Sequence, residues 1–97
     1  MDKEHALWIP EYQCHKKVRA LKIEKVIDPT EPESESDGSR ILFFEPPYDD
    51  EKHSIQVGHA YIRKHSPEVG GYFVVYEDGY ESFSPAEAFE SGYTLIP

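Results

Sequence analysis

The chain has 97 residues, which is enough for one small domain and too few for a second. Folding a chain of this length buries only about two thirds of the surface that the unfolded chain exposes, and aromatic residues are 13% of the sequence, so a few large rings must supply much of the core. The formal charge of −9 disfavours binding of a nucleic-acid backbone over most of the surface and favours a basic partner.

The charge is unevenly distributed along the chain. Residues 1–26 hold six Lys or Arg and four acids, residues 27–51 hold nine acids and one arginine, and residues 65–97 hold six acids and no Lys or Arg. A lone cysteine, Cys14, excludes an internal disulfide and favours a reducing compartment. The N-terminus lacks the features of a signal peptide and no apolar run approaches the roughly 18 residues of a membrane span. We therefore expect a cytoplasmic protein without a membrane partner.

The first half of the chain predicts an arm, two strands and a loop. Residues 1–15 lack a clear period and are predicted as coil, with residues 1–13 as an N-terminal arm that packs on the domain through Trp8, Ile9 and Tyr12. The β-branched residues of 16–27 predict a strand with a bulge or twist at the Ala20–Leu21 step. Residues 28–39, with five acids, two prolines and no apolar side chain, predict a flexible acidic loop. Residues 40–45 predict a buried strand that pairs antiparallel with the first.

The middle of the chain predicts one more strand and a short helix. Ile55 and Val57 alternate with polar residues and indicate a third short strand. Gly58 opens a predicted helix over residues 59–65, and Pro67 ends it, because the residue before a proline avoids the helical region.

Residues 69–93, VGGYFVVYEDGYESFSPAEAFESGY, predict a β-hairpin followed by a capped helix. A three-residue turn with a left-handed Gly79 would pair Tyr76 with Tyr80 and Phe73 with Phe83. A two-residue Asp-Gly turn would instead set Tyr76 opposite Glu81. The first register is preferred because it pairs aromatic residues with each other. Gly70 and Gly71 allow a tight entry into the hairpin. The helix is predicted to use a Ser-x-x-Glu capping box with proline at its first position and a left-handed glycine at its end, which involves Ser84, Pro85, Glu87 and Gly92.

Together these elements predict an α+β fold. We expect a single domain over residues 1–97, built as a small curved antiparallel sheet of four to five strands with one or two short helices packed against it.

The residues capable of chemistry do not form a recognisable catalytic or metal site. Cys14 and His15 are adjacent and the other histidines lack ligand spacing, so no metal and no cofactor are predicted. Cys14 lacks an orienting base and is interpreted as a packing residue. Glu77 and Asp78 lie at a predicted hairpin tip, where both stay solvated. We predict no catalytic residue and no enzyme.

The tyrosines of the hairpin exceed what a core of this size needs. Alternation would leave some rings on the outer face, where acids surround them and a protein partner can dock. The alternative is that both faces are covered, one of them by the arm through Trp8 and Tyr12. The candidate partner-binding residues are Tyr72, Tyr76, Glu77, Asp78, Tyr80 and Glu81.

The closing motif over 69–93, the upstream segment CHKKVRALKI and the link AYIRKHSPE resemble a family of small uncharacterised proteins of tailed bacteriophages and prophages. The resemblance covers about the chain from Cys14 to the C-terminus and implies a phage accessory protein in the bacterial host cytoplasm. It implies no activity and no catalytic residues.

We therefore predict a non-enzymatic, phage-encoded accessory protein that binds a host or phage protein through its aromatic and acidic surface. One alternative is an acidic DNA mimic that inhibits a host DNA-binding or defence protein, although five of the acids lie in the flexible loop, where they form no regular row. A second alternative is a nucleic-acid binder that uses the basic strand 16–25. It is disfavoured because alternate strand residues point to opposite faces, so Lys17 and Arg19 do not share a face with Lys22.

Overall fold

The computed structural model of the chain describes residues 8–13 and 17–95. The helices are α1 (His59–His65) and α2 (Ala86–Gly92), and a single 3₁₀ turn covers Glu51–His53. The strands are β1 (Glu11–Gln13), β2 (Lys17–Ile27), β3 (Arg40–Phe44), β4 (Ile55–Val57), β5 (Tyr72–Tyr76), β6 (Glu81–Ser84) and β7 (Thr94–Leu95). No helix within these described residues is long and apolar enough to cross a membrane.

The long strand β2 organises the sheet because it pairs with three other strands, all antiparallel. β1 and then β3 lie along one edge of β2, and β5 lies along the other. β7 extends the sheet beyond β1, β4 extends it beyond β3, and β6 extends it beyond β5. The sheet therefore curls into an open half-barrel, and the predicted α+β fold is confirmed. All five predicted strands are present, and the short strands β1 and β7 add to them.

Both faces of β2 and β5 are covered, so the domain has two cores. The inner core lies inside the curl of the sheet, and the outer core lies under α2. Ala20 belongs to the outer core and Leu21 to the inner core, so both are buried although they are consecutive. No bulge forms at this step, because β2 pairs with β5 from Val18 to Lys22 without a register shift, and burial on two faces explains the broken alternation. The register of β2 and β3 shifts between Ile23 and Lys25 instead. The inner core contains Ile9, Leu21, Ile23, Leu42, Phe44, Ile55, Val57, Phe73 and Val75, and the outer core contains Val18, Ala20, Tyr72, Val74 and Phe89.

The described part of the arm packs on the inner core. Ile9 is 1% exposed, and the Trp8 ring lies 6.4 Å from that of Phe44. The Arg19 guanidinium donates a 2.7 Å hydrogen bond to the Ile9 carbonyl oxygen. The expected packing through Trp8 and Ile9 is confirmed, whereas the Tyr12 side chain and residues 1–7 lie outside the described part of the chain. The prediction of coil is wrong at β1, because these residues complete the sheet edge that β2 offers.

Residues 28–39 form the exposed connection between β2 and β3. Asp28 Oδ1 accepts a hydrogen bond from the Thr30 amide at 2.9 Å, and Asp37 Oδ1 accepts one from the Ser39 amide at 2.9 Å. Hydrogen bonds from the side chains of Thr30 and Ser39, and then from these amides, lower the pKa of Asp28 and of Asp37 respectively. Ile27 pairs with Ile41 just beyond the loop, so the predicted antiparallel pairing of the flanking strands is confirmed.

Helix α1 forms where the sequence predicts it. Gly58 is its extended N-cap, and Ser66, at φ 44°, donates its amide to the Ile62 carbonyl and ends the helix. The Tyr61 hydroxyl donates a 2.6 Å hydrogen bond to the Ser82 carbonyl of β6. This bond fastens α1 beside the hairpin formed by β5 and β6.

Candidate protein-docking site

The hairpin of β5 and β6 has the predicted aromatic register. Phe73 pairs with Phe83, and the Tyr76 amide donates a 2.9 Å hydrogen bond to the Tyr80 carbonyl. Gly79 takes the left-handed conformation, at φ 89°, that a three-residue turn requires. The alternative two-residue turn, with Tyr76 opposite Glu81, is excluded because Glu81 pairs with Val75. We call residues 76–81 the hairpin tip.

Tyr80 is the exposed ring of the hairpin tip, and its neighbours hold it in place. The residue is 42% exposed, and its ring stacks on that of Tyr76, with 5.9 Å between centroids and 15° between planes. The Lys64 ammonium lies 5.1 Å from the Tyr80 ring centroid, and the Tyr80 hydroxyl is 3.3 Å from Nε2 of His65. An aromatic side chain held on several sides loses little conformational entropy when a partner covers it.

Three acids surround this ring. Glu77 and Asp78 are exposed, and Glu81 is half-buried. Asp78 Oδ1 accepts a 3.0 Å hydrogen bond from the Tyr80 amide, as expected for a turn residue. The structure therefore brings five of the six candidate residues together at one end of the hairpin: Tyr76, Glu77, Asp78, Tyr80 and Glu81.

Tyr72, the sixth candidate, lies elsewhere. It is 8% exposed, and its ring stacks on that of Phe89 at 4.1 Å. Its hydroxyl donates a 2.8 Å hydrogen bond to Glu90 Oε2, which also accepts from the Lys22 ammonium at 3.2 Å. The expectation that Tyr72 is available to a partner is wrong because α2 covers this part of the outer face. The alternative that both faces are covered is correct at Tyr72, where Phe89 and Glu90 of α2 provide cover.

Two shallow hollows flank the hairpin tip. The first, of ≈ 400 Å³, lies between the tip, the start of β2 and the residue that follows α2; the second, of ≈ 430 Å³, lies between the tip and α1. We call the first the tip groove. It is lined by Lys17, Tyr76, Glu77, Asp78 and Tyr93. The second is lined by Ala60, Tyr61, Lys64, His65, Gly79, Tyr80 and Glu81.

Helix α2 precedes Tyr93 of the tip groove, and the ends of this helix differ from the prediction. Ser84 is still part of β6, where it pairs with Tyr72, and its hydroxyl lies 3.3 Å from the Pro85 carbonyl oxygen. It therefore caps no helix amide, and the predicted capping box is wrong. Pro85 is the N-cap, and its carbonyl accepts from the Phe89 amide. The predicted left-handed glycine is also wrong, because Gly92 has no positive φ and the extended Tyr93 ends the helix.

The histidines of the described chain lie apart, and within it no three His, Cys, Asp or Glu are placed to hold a metal ion. His53 accepts or donates a 2.8 Å hydrogen bond with Asp50, and His59 packs against Gly38. His65 lies between the rings of Tyr61 and Tyr80, where desolvation and then the charge of Lys64 lower its pKa. Cys14 and His15 lie outside the described residues.

The cations of β2 do not form a row on one face. Arg19 lies 3.5 Å from Glu11 beside the inner core, whereas Lys22 lies 3.2 Å from Glu90 beside the outer core. The Lys25 ammonium lies 5.4 Å from the Phe43 ring. This arrangement gives no support to nucleic-acid binding along the strand, because cations that follow a phosphate backbone must face one way. Lys16 lies outside the described residues.

Sequence reasoning missed the neighbours that hold the hairpin tip. Lys64 and His65 of α1 contact Tyr80, and Tyr93 lines the tip groove. The spacing of Tyr61, Lys64 and His65 places them on one face of a helix, which is a signal that they act together. The strand that this face contacts depends on tertiary packing and has no local signal.

No family model and no curated protein match the chain. Among solved structures, it is similar to the NMR solution structure of the monomeric form of the phage L decoration protein, with 25% sequence identity and a TM-score of 0.62. The match covers 96% of this chain and 63% of the decoration protein, so the chain spans less than two thirds of that protein's length. This likeness supports the resemblance to phage proteins.

Proposed function

We propose, from the likeness to the phage L decoration protein, that this chain is an accessory protein of a tailed-phage particle and that it attaches there by binding a phage protein through the hairpin tip. The observation that carries the proposal is the similarity of fold over 96% of the chain. The phage accessory class comes from that similarity, and the choice of surface comes from the geometry of the tip.

The hairpin tip is suited to protein binding by its chemistry. Binding energy at protein interfaces is concentrated in a few well-packed residues, with tyrosine, tryptophan and arginine enriched among them. Tyr80 is a large exposed ring that is already fixed by Tyr76 and Lys64, so ordering it on binding costs little entropy. The acids beside it favour a partner surface of positive charge.

A sedimentation experiment tests the proposal. Purified chain is mixed with tailed-phage particles induced from the source bacterium, and the mixture is separated on a sucrose gradient. We expect the wild-type chain to sediment with the particles and Tyr80→Ala to lose at least about tenfold in affinity, as expected for a central aromatic residue. Circular dichroism verifies that the variant is folded.

Val69→Ala is the matched control, because Val69 is a 64% exposed apolar residue outside the hairpin tip. It is expected to bind as the wild type does. The proposal fails if the wild-type chain stays at the top of the gradient, and the choice of surface fails if Tyr80→Ala still sediments with the particles. Binding to a host DNA-binding protein that weakens steeply with salt, without binding to particles, would favour the DNA-mimic alternative.

A further inference from the structure

The second hollow beside the hairpin tip holds a histidine next to the exposed Tyr80 ring. We call it the α1 hollow, and its titratable side chains are Tyr61, Lys64, His65, Tyr80 and Glu81. We propose that docking at the hairpin tip is pH-dependent, because a partner protein that covers Tyr80 also covers His65 and disfavours its protonated form. The inference rests on the proposed function, since the partner is the protein that the hairpin tip binds.

His65 lies between the helix and the hairpin. Its ring centroid is 4.7 Å from that of Tyr61 and 6.0 Å from that of Tyr80. Nε2 of His65 is 3.3 Å from the Tyr80 hydroxyl oxygen, and the residue is half-buried. The Tyr61 hydroxyl donates to the Ser82 carbonyl, so the helix is fastened to the hairpin independently of His65. A surface that covers the Tyr80 ring must therefore also approach the imidazole.

The charges around the imidazole act in opposite directions. Lys64 is exposed beside it, with its ammonium 5.1 Å from the Tyr80 ring centroid, and it disfavours a second positive charge. Glu81 is half-buried in the same hollow and favours the protonated imidazole. The tyrosines are uncharged where histidine titrates, and burial raises the pKa of Tyr61 further. In the free chain, desolvation and then the Lys64 charge lower the pKa of His65 from its ordinary 6.5, so the neutral form is favoured in spite of Glu81.

Docking strengthens both causes of this lowered pKa. A covering surface removes water from the half-buried imidazole, and the positive charge favoured in a partner adds to that of Lys64. The pKa of His65 is then lower in the complex than in the free chain. A group whose pKa falls on binding opposes binding in acid, because it must release its proton first. Affinity is therefore complete above pH 6.5 and is lost as the pH falls through the free-chain pKa of His65.

Sedimentation with tailed-phage particles at several pH values and constant ionic strength tests the proposal. We expect the Kd of the wild-type chain to rise several-fold between about pH 8 and about pH 5, with a limit of about tenfold for each pH unit when one proton is released. For His65→Gln, the Kd values at these two pH values should be equal. Glutamine can bond the Tyr80 hydroxyl but takes up no proton.

His59→Gln is the matched control, because His59 is an exposed histidine of the same helix and does not line the α1 hollow. It should keep the wild-type ratio of the Kd values. Titration of the particles themselves acts equally on the wild type and on both variants, so a change in this ratio at His65→Gln reports the chain.

NMR of the free chain tests the coupling between the two rings. The His65 ring resonances should titrate with a midpoint below pH 6.5, and the Tyr80 ring resonances should shift with the same midpoint. His65→Gln should abolish this shift of the Tyr80 resonances. A His65 midpoint above 6.5, or a Tyr80 ring that does not respond, would contradict the proposal.

Three sedimentation results would also overturn it: a wild-type Kd that is the same at both pH values, an equal loss in wild type and His65→Gln, or tighter binding of the wild type in acid. In each of these cases the chain still binds particles, so the proposed function stands and only the regulation is rejected. A wild-type chain that stays at the top of the gradient at every pH rejects both.

Discussion

At the scale of single residues, Gly71 occupies a position with no room for a side chain. A Cβ built on Gly71 would overlap the Phe83 ring and lie 3.0 Å from the Ser84 carbonyl oxygen. Because that oxygen belongs to β6, relief requires movement of the hairpin and not of a flexible side chain. We expect Gly71→Ala to lower the free energy of unfolding by about 1–3 kcal/mol, the usual cost of overpacking. Urea unfolding measures it.

Gly92→Ala is the matched control for this prediction. Gly92 is the last residue of α2, lacks a positive φ, and has no atom within 4 Å of its ideal Cβ among those considered. Alanine should therefore be neutral or stabilising by up to about 1 kcal/mol, since it favours the helix. Destabilisation by Gly92→Ala would show that the glycine is left-handed in solution, as the sequence alone predicts.

Glycines illustrate which single-residue features the sequence can predict. Gly79 lies in an Asp-Gly pair between two β-rich runs, so its left-handed turn has a local signal and is confirmed. Gly92 has the local signal of a left-handed helix end, but it is the last helical residue, because the chain continues through the extended Tyr93 into β7. The difference depends on the pairing of β7 with β1, in which Tyr12 pairs with Leu95, 83 residues later in the sequence, and which therefore lacks a local signal.

At the scale of secondary structure, α2 depends on its packing for stability. It has seven residues, which is too short for an isolated helix in water, and its N-cap makes no side-chain hydrogen bond. Phe89 anchors it, stacked between Tyr72 and Tyr93. We expect Phe89→Ala to cost about 3–5 kcal/mol in unfolding free energy. Equilibrium unfolding monitored by tyrosine fluorescence and circular dichroism measures the loss.

Two conservative variants on the same segment serve as controls. Glu87→Gln changes an exposed helix residue, and Ser84→Ala removes a hydroxyl that caps no helix amide. Both should stay within about 0.5 kcal/mol of the wild type, whereas a working capping box would make Ser84→Ala cost about 1 kcal/mol. A cost of that size at Ser84 would contradict the described start of α2.

The elements of this fold were predictable to different degrees for physical reasons. β2, β3 and the hairpin carry β-branched and aromatic runs bounded by turn residues, which are local signals. β1 has no such run and becomes a strand because the edge of β2 offers it hydrogen-bond partners. Ser84 and Glu87 match a capping box by spacing, but pairing with Tyr72 holds Ser84 in the sheet. Tertiary contacts therefore override the local pattern at these places.

At the scale of the whole molecule, several carboxylates have a lower pKa in the folded state than in the unfolded chain, and this difference stabilises the fold. Hydrogen bonds from Tyr72 and then Lys22 lower the pKa of Glu90 from its ordinary 4.5. Hydrogen bonds likewise lower the pKa of Asp28, Asp37 and Asp50 from 3.8. The unfolded chain thus binds more protons in acid. This stabilisation is complete above the ordinary pKa values and is lost as pH falls through the lowered ones.

We expect the melting temperature to fall as the pH is lowered from about 6 to about 3, and to fall less for Glu90→Gln. The glutamine keeps an oxygen for the Tyr72 hydroxyl but has no charge to titrate. Differential scanning calorimetry of both proteins over this range measures the difference. Glu68→Gln, at an exposed glutamate outside these bonds, is the control and should follow the wild type. Parallel curves for the wild type and Glu90→Gln would contradict the role given to Glu90.

The sequence predicts the part of the candidate site that neighbouring residues form, and not the part that depends on tertiary contacts. The turn residues predict that Tyr76, Glu77, Asp78 and Tyr80 share a hairpin end, and they do. Tyr72 belongs to the same strand, but its availability depends on α2, which covers the outer face at that point. The position of α2 depends on tertiary contacts, so the residue pattern of the strand alone predicts more exposed aromatic surface than the structure has.

The loop of residues 28–39 leaves and rejoins the sheet at adjacent points, since Ile27 and Ile41 are paired. Asp28 and Asp37 bond to nearby backbone amides at its two ends, and residues 31–37 are exposed. Each doubling of loop length costs only about 0.6 kcal/mol in closure entropy. A foreign peptide grafted between these two aspartates would leave the half-barrel intact, which makes this small domain a scaffold for presenting epitopes to solvent.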